Sequence, residues 1–502
     1  MYAVSFEKAR DGSETCLCDG KLLHSKYAPK NEAQKFVSTI EADFFPACVA
    51  VLEPALSYCA PFLRTRFPNA TLVAIRFSDD FSKTDFLWDK TIQSNDSLSD
   101  ALFDFLGEEK LCSTLFVDWI PSRSAFKTES IFSWQKIKDA VLKARSVLLT
   151  REFFSRRWLM NVAIFAARIK NTSKIECFGN ETPIVIACSG PSLLDAIPFL
   201  KKNRKNVFLI AVSSAIFPLL EEKIEPDLAL STDGGYWAKK HLDILIKKEI
   251  PLALTLEGAA PKKLFKKQIV PLCYDDGSNF ERNLLKRLGV NAVLAKRNGT
   301  VSGTALFLAL SITNGEIFFA GLDQESAQGK QHAEPNALEK INALSDFRLK
   351  PKETRTTSAR FFSEQSLSIY RAWFSSQKNP EMKRVFRISA KKTFKHSLGS
   401  IKDIDMLTFL QKTDGKTNSI FVTPSQKIEI KDRKKIISEE LCRAFLDNHF
   451  LSEAFPTDFL MIERETDEKR KAEKRVALEE KKAVLKKRLL FVAKNANETD
   501  TK

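Results

Sequence analysis

Small, hydroxyl-bearing residues follow a strongly apolar run at residues 183–188, in a pattern that could hold an anionic ligand. The segment is Ser189–Gly190–Pro191–Ser192. Gly190 permits a close approach of the backbone, Pro191 suits the first turn of a helix, and a serine on either side can cap that helix. The free N–H groups at such a helix start can bind phosphate. An ordinary strand-to-helix turn would show the same residues, so both interpretations stand.

A carboxylate stands at the end of another apolar run, in Ser231–Thr232–Asp233–Gly234–Gly235. Asp233 could bind ribose hydroxyls or a metal ion. It could equally be a turn aspartate that accepts a hydrogen bond from its own backbone. We count Asp233 and Gly234 as candidate donor-binding residues, together with Ser213 at the end of the apolar run 207–213.

A third group of residues lies around a predicted helix at residues 301–311. Small residues open the helix in Asn298–Gly299–Thr300–Val301–Ser302–Gly303–Thr304. They predict a second anion site. Its candidate residues are those at the helix start: Thr300, Ser302 and Gly303.

Ionisable side chains follow this helix, in Gly321–Leu322–Asp323 and in a short element that ends with His332 and Ala333. An imidazole at His332, one of five histidines, could act as an acid or a base near neutral pH. An isolated histidine is more often a surface or capping residue, and that alternative stays open. The candidate catalytic residues are the ionisable side chains of this stretch: His332, Asp323 and Glu325.

Apolar runs from residue 182 onward indicate how these loops are positioned. Runs without polar alternation predict strands buried on both faces, as in a parallel sheet. They lie at residues 183–188, 207–213, 228–231, 251–256, 292–295 and 316–320. In a doubly wound sheet, ligands bind at the carboxyl ends of the strands, where all three loops lie. We therefore predict an α/β fold whose Rossmann-like central domain, with a mainly parallel sheet, carries the site.

The remaining patterns divide the chain into regions. Short apolar runs predict a smaller α/β N-terminal domain over residues 1–145, with a helix at residues 54–67. The regions predicted after it are a helical connector at 146–180, the central Rossmann-like domain at 181–345, a helical C-terminal region that completes the core at 346–460, and a charged helix and tail at 461–502.

Composition limits the function classes. The net charge of +16 suits an anionic partner such as a nucleotide, although a lysine-rich surface alone would give the same balance. None of the nine cysteines lies in a CxxC pair or a zinc-spaced cluster, which favours a reducing compartment. There is no signal-peptide pattern and no apolar run of ~18 residues. We expect a cytoplasmic protein without membrane insertion, and no nucleic-acid partner.

In their order and spacing, these segments resemble the Maf-type motility-associated glycosyltransferases, which share the 6-hydroxymethylpterin diphosphokinase MptE-like domain. The resemblance covers roughly residues 20–400. Its motifs are the GPSL turn within Ser189–Leu193, the pair Pro226–Asp227 that leads to Asp233, Ser302–Gly303, Gly321–Leu322–Asp323, Gly329–Lys330–Gln331–His332–Ala333, and the opening Leu22–Leu23–His24–Ser25–Lys26–Tyr27–Ala28–Pro29 with Glu32–Ala33.

Bacterial sialyltransferases of related fold are similar at the same places. By that resemblance, the CMP part of a donor is held by residues of the two small-residue segments: Ser189, Gly190, Pro191, Ser192, Ser302 and Gly303. Those enzymes place tyrosines after the G-x-D strand end to assist the departing phosphate. Gln324 and Glu325 stand there in this chain, which leaves the identity of the acid open.

The implied reaction is transfer of a nonulosonic acid (sialic, pseudaminic or legionaminic type) from a CMP-sugar donor to serine or threonine hydroxyls of flagellin. No cofactor beyond the donor is required, and Mg²⁺ is an option. The first alternative is a Mg²⁺-dependent diphosphotransferase that moves pyrophosphate from ATP to a pterin alcohol, with Asp233 and Asp323 as metal ligands. The second is a nucleotide-binding protein that kept the fold without catalysis.

Overall fold

The computed structural model describes residues 2–179, 181–275, 279–325, 332–389, 394–429 and 432–495. It contains two compact units, and each draws on two stretches of the chain. The first unit is Met1–Ser155 with Leu451–Val484, and the second unit is Arg156–Phe450 with Leu485–Lys502. No helix in the described part of the chain combines the length and the apolar character needed to cross a membrane.

The helices are α1 (Pro29–Thr39), α2 (Cys59–Arg66), α3 (Leu98–Cys112), α4 (Ile120–Ala125), α5 (Lys127–Arg168), α6 (Leu193–Lys202), α7 (Ile216–Glu221), α8 (Tyr236–His241), α9 (Asn279–Arg287), α10 (Val301–Ile312), α11 (Ala337–Asn342), α12 (Lys352–Ser375), α13 (Met406–Thr413), α14 (Arg433–Ala444), α15 (Asn448–Ala454), α16 (Pro456–Arg464) and α17 (Glu468–Lys494).

The strands are β1 (Val4–Lys8), β2 (Glu14–Cys18), β3 (Lys21–Leu22), β4 (Cys48–Leu52), β5 (Thr71–Arg76), β6 (Lys90–Gln93), β7 (Thr114–Asp118), β8 (Asn171–Cys177), β9 (Ile184–Ala187), β10 (Phe208–Val212), β11 (Leu228–Ser231), β12 (Leu252–Thr255), β13 (Gln268–Tyr274), β14 (Val293–Ala295), β15 (Ile317–Ala320), β16 (Val385–Ile388), β17 (Lys402–Ile404) and β18 (Ile420–Lys427).

The first unit contains a parallel sheet in the order β6-β5-β4-β7, beside a small antiparallel sheet β1-β2-β3. Alternate residues of β4 face opposite layers because side chains alternate along a strand. Val49 and Val51 pack in a core cluster with residues of α1 and α2. Ala50 and Leu52 pack in another with residues of α3 and α5. Both faces of this sheet are therefore covered, as in the α/β domain that the sequence predicts.

The loop after β4 closes the carboxyl edge of this sheet. Glu53, Ala55 and Ser57 have positive φ angles of 39°, 45° and 59°. No right-handed helix contains such angles, so the helix predicted over residues 54–67 begins only at Cys59.

A buried arginine fills the space inside that loop. Arg76, 1% exposed, donates to Glu53 Oε1 at 3.0 Å, to Ala55 O at 2.8 Å and to Ser57 Oγ at 3.0 Å. The second oxygen of the fully buried Glu53 accepts from the backbone N–H of Phe77 at 2.6 Å. Each charge thus has compensating partners, which a buried ion pair requires.

The second unit is built on one large sheet in the order β17-β16-β15-β9-β10-β11-β12-β13-β8-β18, and β14 pairs with the last residues of β13. All neighbouring strands are parallel except β8 and β18. β9, β10, β11, β12, β15 and β16 are buried at every position. Each fully buried large apolar side chain stabilises the fold by about 1.5–3 kcal/mol. The α/β class with a mainly parallel central sheet is confirmed.

The secondary structure prediction was wrong in one part and incomplete in another. Residues 171–177 are not helical but form strand β8, which pairs with β13 and β18. The region 346–460 does contain the expected helices, but it also supplies strands β16, β17 and β18 to the sheet. In both cases pairing with distant strands decides the structure, against a weak local preference.

Candidate active site

The strand order of the second unit reverses at β9. β9 pairs with β10 on one side and with β15 on the other, and both pairings are parallel. The loops that leave the carboxyl ends of these strands diverge there, and the crevice between them is where open α/β sheets bind ligands. The predicted site residues lie in these loops.

The loops after β9 and β15 touch through two glycines. Gly190 N donates to Gly321 O at 2.8 Å. A Cβ atom on Gly190 would come 2.4 Å from Gly321 O and 2.7 Å from Asp323 Oδ1. Gly321 has a φ angle of +80°. The close contact and the left-handed conformation explain why glycine stands at both positions.

Asp323 lies at the start of α6 and is 3% exposed. Its Oδ2 accepts from the Ser192 N–H at 3.1 Å, and its Oδ1 accepts from the Ser192 hydroxyl in a short hydrogen bond. A carboxylate at a helix N-terminus is favoured by the helix dipole. The start of α6 was expected to offer free N–H groups to a phosphate, but the N–H of Ser192 is already taken by this internal anion.

His332 stands beside the same turn. Its Nδ1 lies 3.0 Å from Ser189 Oγ, and Ala333 N donates to Ser189 O at 2.7 Å. Burial lowers the pKa of His332, against a smaller opposing effect of a backbone hydrogen bond with Ser189. The imidazole is therefore neutral at neutral pH and can accept a proton.

A second histidine, which the sequence analysis missed, is electrostatically coupled to His332. Burial and then the proximity of His332 lower the pKa of His241 to about 4. His241 is 8% exposed, and its Nδ1 has no hydrogen-bond partner among the described residues. A buried nitrogen without a partner is costly unless a ligand or water completes it. The pair of neutral histidines is thus suited to receive a polar substrate group.

The start of α10 is the better anion site. Thr300 caps the helix, accepting from Gly303 N at 2.8 Å, and Asn298 Oδ1 accepts from Thr300 N at 3.0 Å. Among the described residues, the N–H groups of Val301 and Ser302 have no acceptor. Both N–H groups lie at the N-terminal end of a twelve-residue helix, where the helix dipole is positive. Ser302 also contacts the Cys188 thiol, so this helix start adjoins the end of β9.

The loop after β11 is a turn fixed by Asp233. Asp233 Oδ1 accepts from Gly235 N at 2.8 Å, which is the turn that the sequence left as an alternative. A Cβ atom on Gly234 would come 2.6 Å from the Trp158 ring, so Gly234 is required by packing. Tyr370 of α12 lies close enough to this turn to sense its charge: burial, and then the charge of Asp233, raise the pKa of its phenol.

Tyr370 also approaches the third loop. A Cβ atom on Gly299 would lie 3.9 Å from its ring. Tyr370 therefore stands between the loops that follow β11 and β14. Tyr370 lies in the region 346–460 that was predicted to be helical, but no sequence pattern indicated that this helix reaches the sheet edge.

An arginine packed between aromatic rings, Arg297, extends the site toward β13. Arg297 forms a two-point ion pair with Glu257, at 2.7 and 2.8 Å. Its guanidinium lies 4.2 Å from the ring centre of Tyr274 and 5.4 Å from that of Trp158. Tyr274 in turn contacts Thr304 of α10. None of these residues was singled out from the sequence, since only the fold brings them together.

The structure brings together five of the predicted residues at the switch point: Ser189, Gly190, Ser192, Asp323 and His332. Pro191 completes their turn, and Ser213 lies buried at the carboxyl end of β10. The Glu325 carboxylate accepts from Lys395 N at 3.2 Å. Gly329, Lys330 and Gln331 of the predicted GK-x-HA element lie outside the described residues.

No metal site is preformed in the parts of the chain that the structure describes. They contain no group of three or more histidine, cysteine, aspartate or glutamate side chains placed to hold a metal ion. Asp233 and Asp323 are each engaged by protein donors. A magnesium ion here would take most of its ligands from substrate phosphates and water, as it commonly does.

This chain is similar to a known family and to known proteins. Residues 156–328 match the family model described as 6-hydroxymethylpterin diphosphokinase MptE-like. An uncharacterized protein of Treponema pallidum (strain Nichols) is 31% identical over 303 residues, which are 59% of this chain and 65% of the relative. The chain thus spans less than two thirds of that relative.

The third similarity is structural. The Maf glycosyltransferase from Magnetospirillum magneticum AMB-1 superposes with a TM-score of 0.57 and 14% identity, over 99% of this chain and 93% of that one. At this identity the likeness concerns the fold. Residues 156–328 thus match the MptE-like family model, and the fold of the chain is similar to that of the Maf glycosyltransferase.

Proposed function

We propose that this protein is a glycosyltransferase that moves a nonulosonic acid from a CMP-activated donor to a serine or threonine hydroxyl of flagellin. The observation that carries the proposal is the neutral His332 at the switch point, together with the start of α10, where the N–H groups of Val301 and Ser302 have no acceptor among the described residues. The fold of the Maf neighbour supports the reaction class, and the sequence resemblance supports the donor and the acceptor. A cytoplasmic location remains a prediction from the sequence.

The donor phosphate would bind at α10. The N–H groups of Val301 and Ser302 would hold its oxygens where charge develops as CMP departs. A tyrosine phenol is protonated at neutral pH, and the raised pKa of Tyr370 reinforces this, so it can donate a hydrogen bond to the same phosphate. The free oxygen of the Asp233 turn would accept from a ribose hydroxyl.

His332 would act as the base. With Nδ1–H donating to Ser189 Oγ, the lone pair on Nε2 can take the proton of the acceptor hydroxyl. The acceptor oxygen then bonds to the anomeric carbon of the sugar. The bond from that carbon to the phosphate oxygen breaks, and CMP leaves with the electron pair.

The test is calorimetric titration of the purified protein with CMP, UMP and ATP, with and without Mg²⁺, followed by a transfer assay. We expect metal-independent preference for CMP. We also expect His332→Asn to lower kcat about 10²–10⁴-fold while the Kd for CMP stays within twofold. His449→Asn, which changes an exposed histidine, is the control. Unchanged kcat in His332→Asn would remove His332 from the reaction.

A diphosphotransferase is the second candidate, favoured by the description of the matching family. It predicts ATP binding that requires Mg²⁺ and no preference for CMP. The absence of binding to every nucleotide would favour a protein that kept the fold without a donor.

A further inference from the structure

Large apolar side chains are exposed on the segment that follows His332. Leu344 is 87% exposed, Leu349 85% and Phe347 59%, and Ile341 at the end of α11 is 38% exposed. We call these four residues the apolar rim. Contiguous exposed apolar surface is uncommon on soluble proteins and marks surfaces that bind other molecules.

The rim is held next to the candidate base by a short series of contacts. Ala333 is bonded to Ser189, and Asn336 Nδ2 donates to Ala333 O at 2.9 Å. Asn336 also caps α11, accepting from Glu339 N at 2.8 Å. Lys352 pairs with Glu334 at 2.7 Å and so closes the segment into a loop. The rim is therefore anchored at both ends beside His332.

Two exposed aromatic residues continue this surface. Tyr236 and Trp237 open α8, directly after the Asp233 turn, and are 58% and 42% exposed. α8 packs against α11, which leads into the rim. The same short helix carries His241 at its other end. Apolar surface thus lies on two elements that border the pair of histidines.

Positive charges alternate with the apolar residues of the rim. Arg348 and Lys350 are exposed, and neither forms an ion pair with any other described residue. Phe347 N and Lys350 N donate to each other's carbonyl groups at 3.2 and 2.8 Å, which makes this part a tight turn. A partner that carries both apolar and acidic side chains would complement it.

We infer that the apolar rim, with Arg348 and Lys350, docks an acidic, apolar surface of the protein acceptor and presents its hydroxyl to His332. The inference rests on the proposed function, because it takes the acceptor to be a protein. It adds that recognition of the acceptor protein lies outside the nucleotide site. A small hydroxyl compound or water could react without touching the rim.

The experiment compares wild type with two variants, Leu344→Ser/Phe347→Ser/Leu349→Ser and Arg348→Glu/Lys350→Glu. Leu446→Ser, which changes a leucine 85% exposed elsewhere in the second unit, is the control. The side chains are exposed, so all variants should fold. Three quantities are measured: the Kd for purified flagellin without donor, CMP release with water as the acceptor, and the rate of transfer to flagellin.

We expect both rim variants to weaken flagellin binding at least 10-fold and to raise the KM for flagellin equally, while CMP release to water changes less than twofold. Unchanged flagellin binding in both variants would overturn the inference. The inference would also be overturned if the Kd for flagellin were unchanged and the triple variant dissociated a dimer that wild type forms. The rim would then bind a second copy of this chain. Absence of any CMP release by wild type would count against the glycosyltransferase, while rim-dependent flagellin binding would still uphold the docking surface.

Discussion

Each unit contains a parallel sheet in which the strand order reverses in the middle, but the carboxyl edges of the two sheets differ. In the first unit β4 lies between β5 and β7, and in the second unit β9 lies between β10 and β15. At the first edge, the buried Arg76 is enclosed by Glu53, Ser57 and backbone carbonyls. At the second, a buried imidazole nitrogen of His241 has no partner among the described residues.

The difference shows that a reversal of strand order only offers a place for a ligand. The first edge is filled by a loop with three positive φ angles and by a saturated ion pair, so its polar groups serve stability. The second edge keeps hydrogen-bonding capacity that folding does not use. An incomplete polar group alone does not mark the site, since the buried Nδ1 of His24 in the first unit also lacks a hydrogen-bond partner among the described residues. The second edge differs because the ring of His241 is electrostatically coupled to a second histidine, His332.

The largest effect is expected at the first edge, around Arg76. Arg76→Met leaves Glu53 buried without its cation, and removing one partner of a buried pair costs about 3–5 kcal/mol. Urea denaturation should show that loss in the free energy of unfolding. Arg64→Met, which breaks the exposed pair with Asp89, should cost less than about 1 kcal/mol. A similar small loss for both variants would mean that the first edge is not held by its ion pair.

At the carboxyl edge of the second unit's sheet, protonation of His241 should make the free energy of unfolding depend on pH. The pKa of His241 is lowered from 6.5 to about 4 in the folded protein, so folding favours the neutral ring. Its contribution is complete above about pH 6.5 and is lost as the pH falls toward 4, by up to about 3 kcal/mol. Urea unfolding between pH 7.5 and 4 should show a flatter pH dependence for His241→Gln than for wild type or His449→Gln. Identical slopes would contradict an uncompensated imidazole.

Gly190→Ala should disturb the contact between the loops after β9 and β15. The added methyl group would meet Gly321 O and Asp323, so one loop must move. We expect the Kd for CMP to rise about 10-fold, which corresponds to about 1.4 kcal/mol. Gly415→Ala places its methyl group where no atom lies within 4 Å, and it should leave the Kd unchanged. Equal Kd values for the two variants would show that this contact between the loops does not affect nucleotide binding.

The smallest effect is expected for Asp233→Asn. The amide oxygen can still accept from Gly235 N, so the turn survives and only the charge is lost. Titration should give a Kd for CMP within about threefold of wild type, whereas Asp233→Ala, which loses the turn, should bind at least several-fold more weakly than Asp233→Asn. Equal affinities for these two variants would show that the turn does not shape the site.

The sequence predicted what local patterns control. β9, β10 and β15 are apolar on both faces, so their runs identified them and the loops at their ends. β8, with the residues NTSKIEC, has no such run and becomes a strand only through β13 and β18. The positive φ angles after β4 occur at residues other than glycine, so the sequence did not indicate them. His241 and Tyr370 reach the site through the packing of helices, which spacing along the chain does not encode.

The interleaving of the two units governs how the protein is made. The first unit needs α16, whose Arg464 donates to Cys112 O at 3.1 Å, yet α16 is translated only after residues 156–450. Residues 1–155 are therefore synthesised before α16 is available, while almost all of the second unit emerges from the ribosome. A chain cut after Ser155 lacks α16, and with it the hydrogen bond from Arg464 to the end of α3.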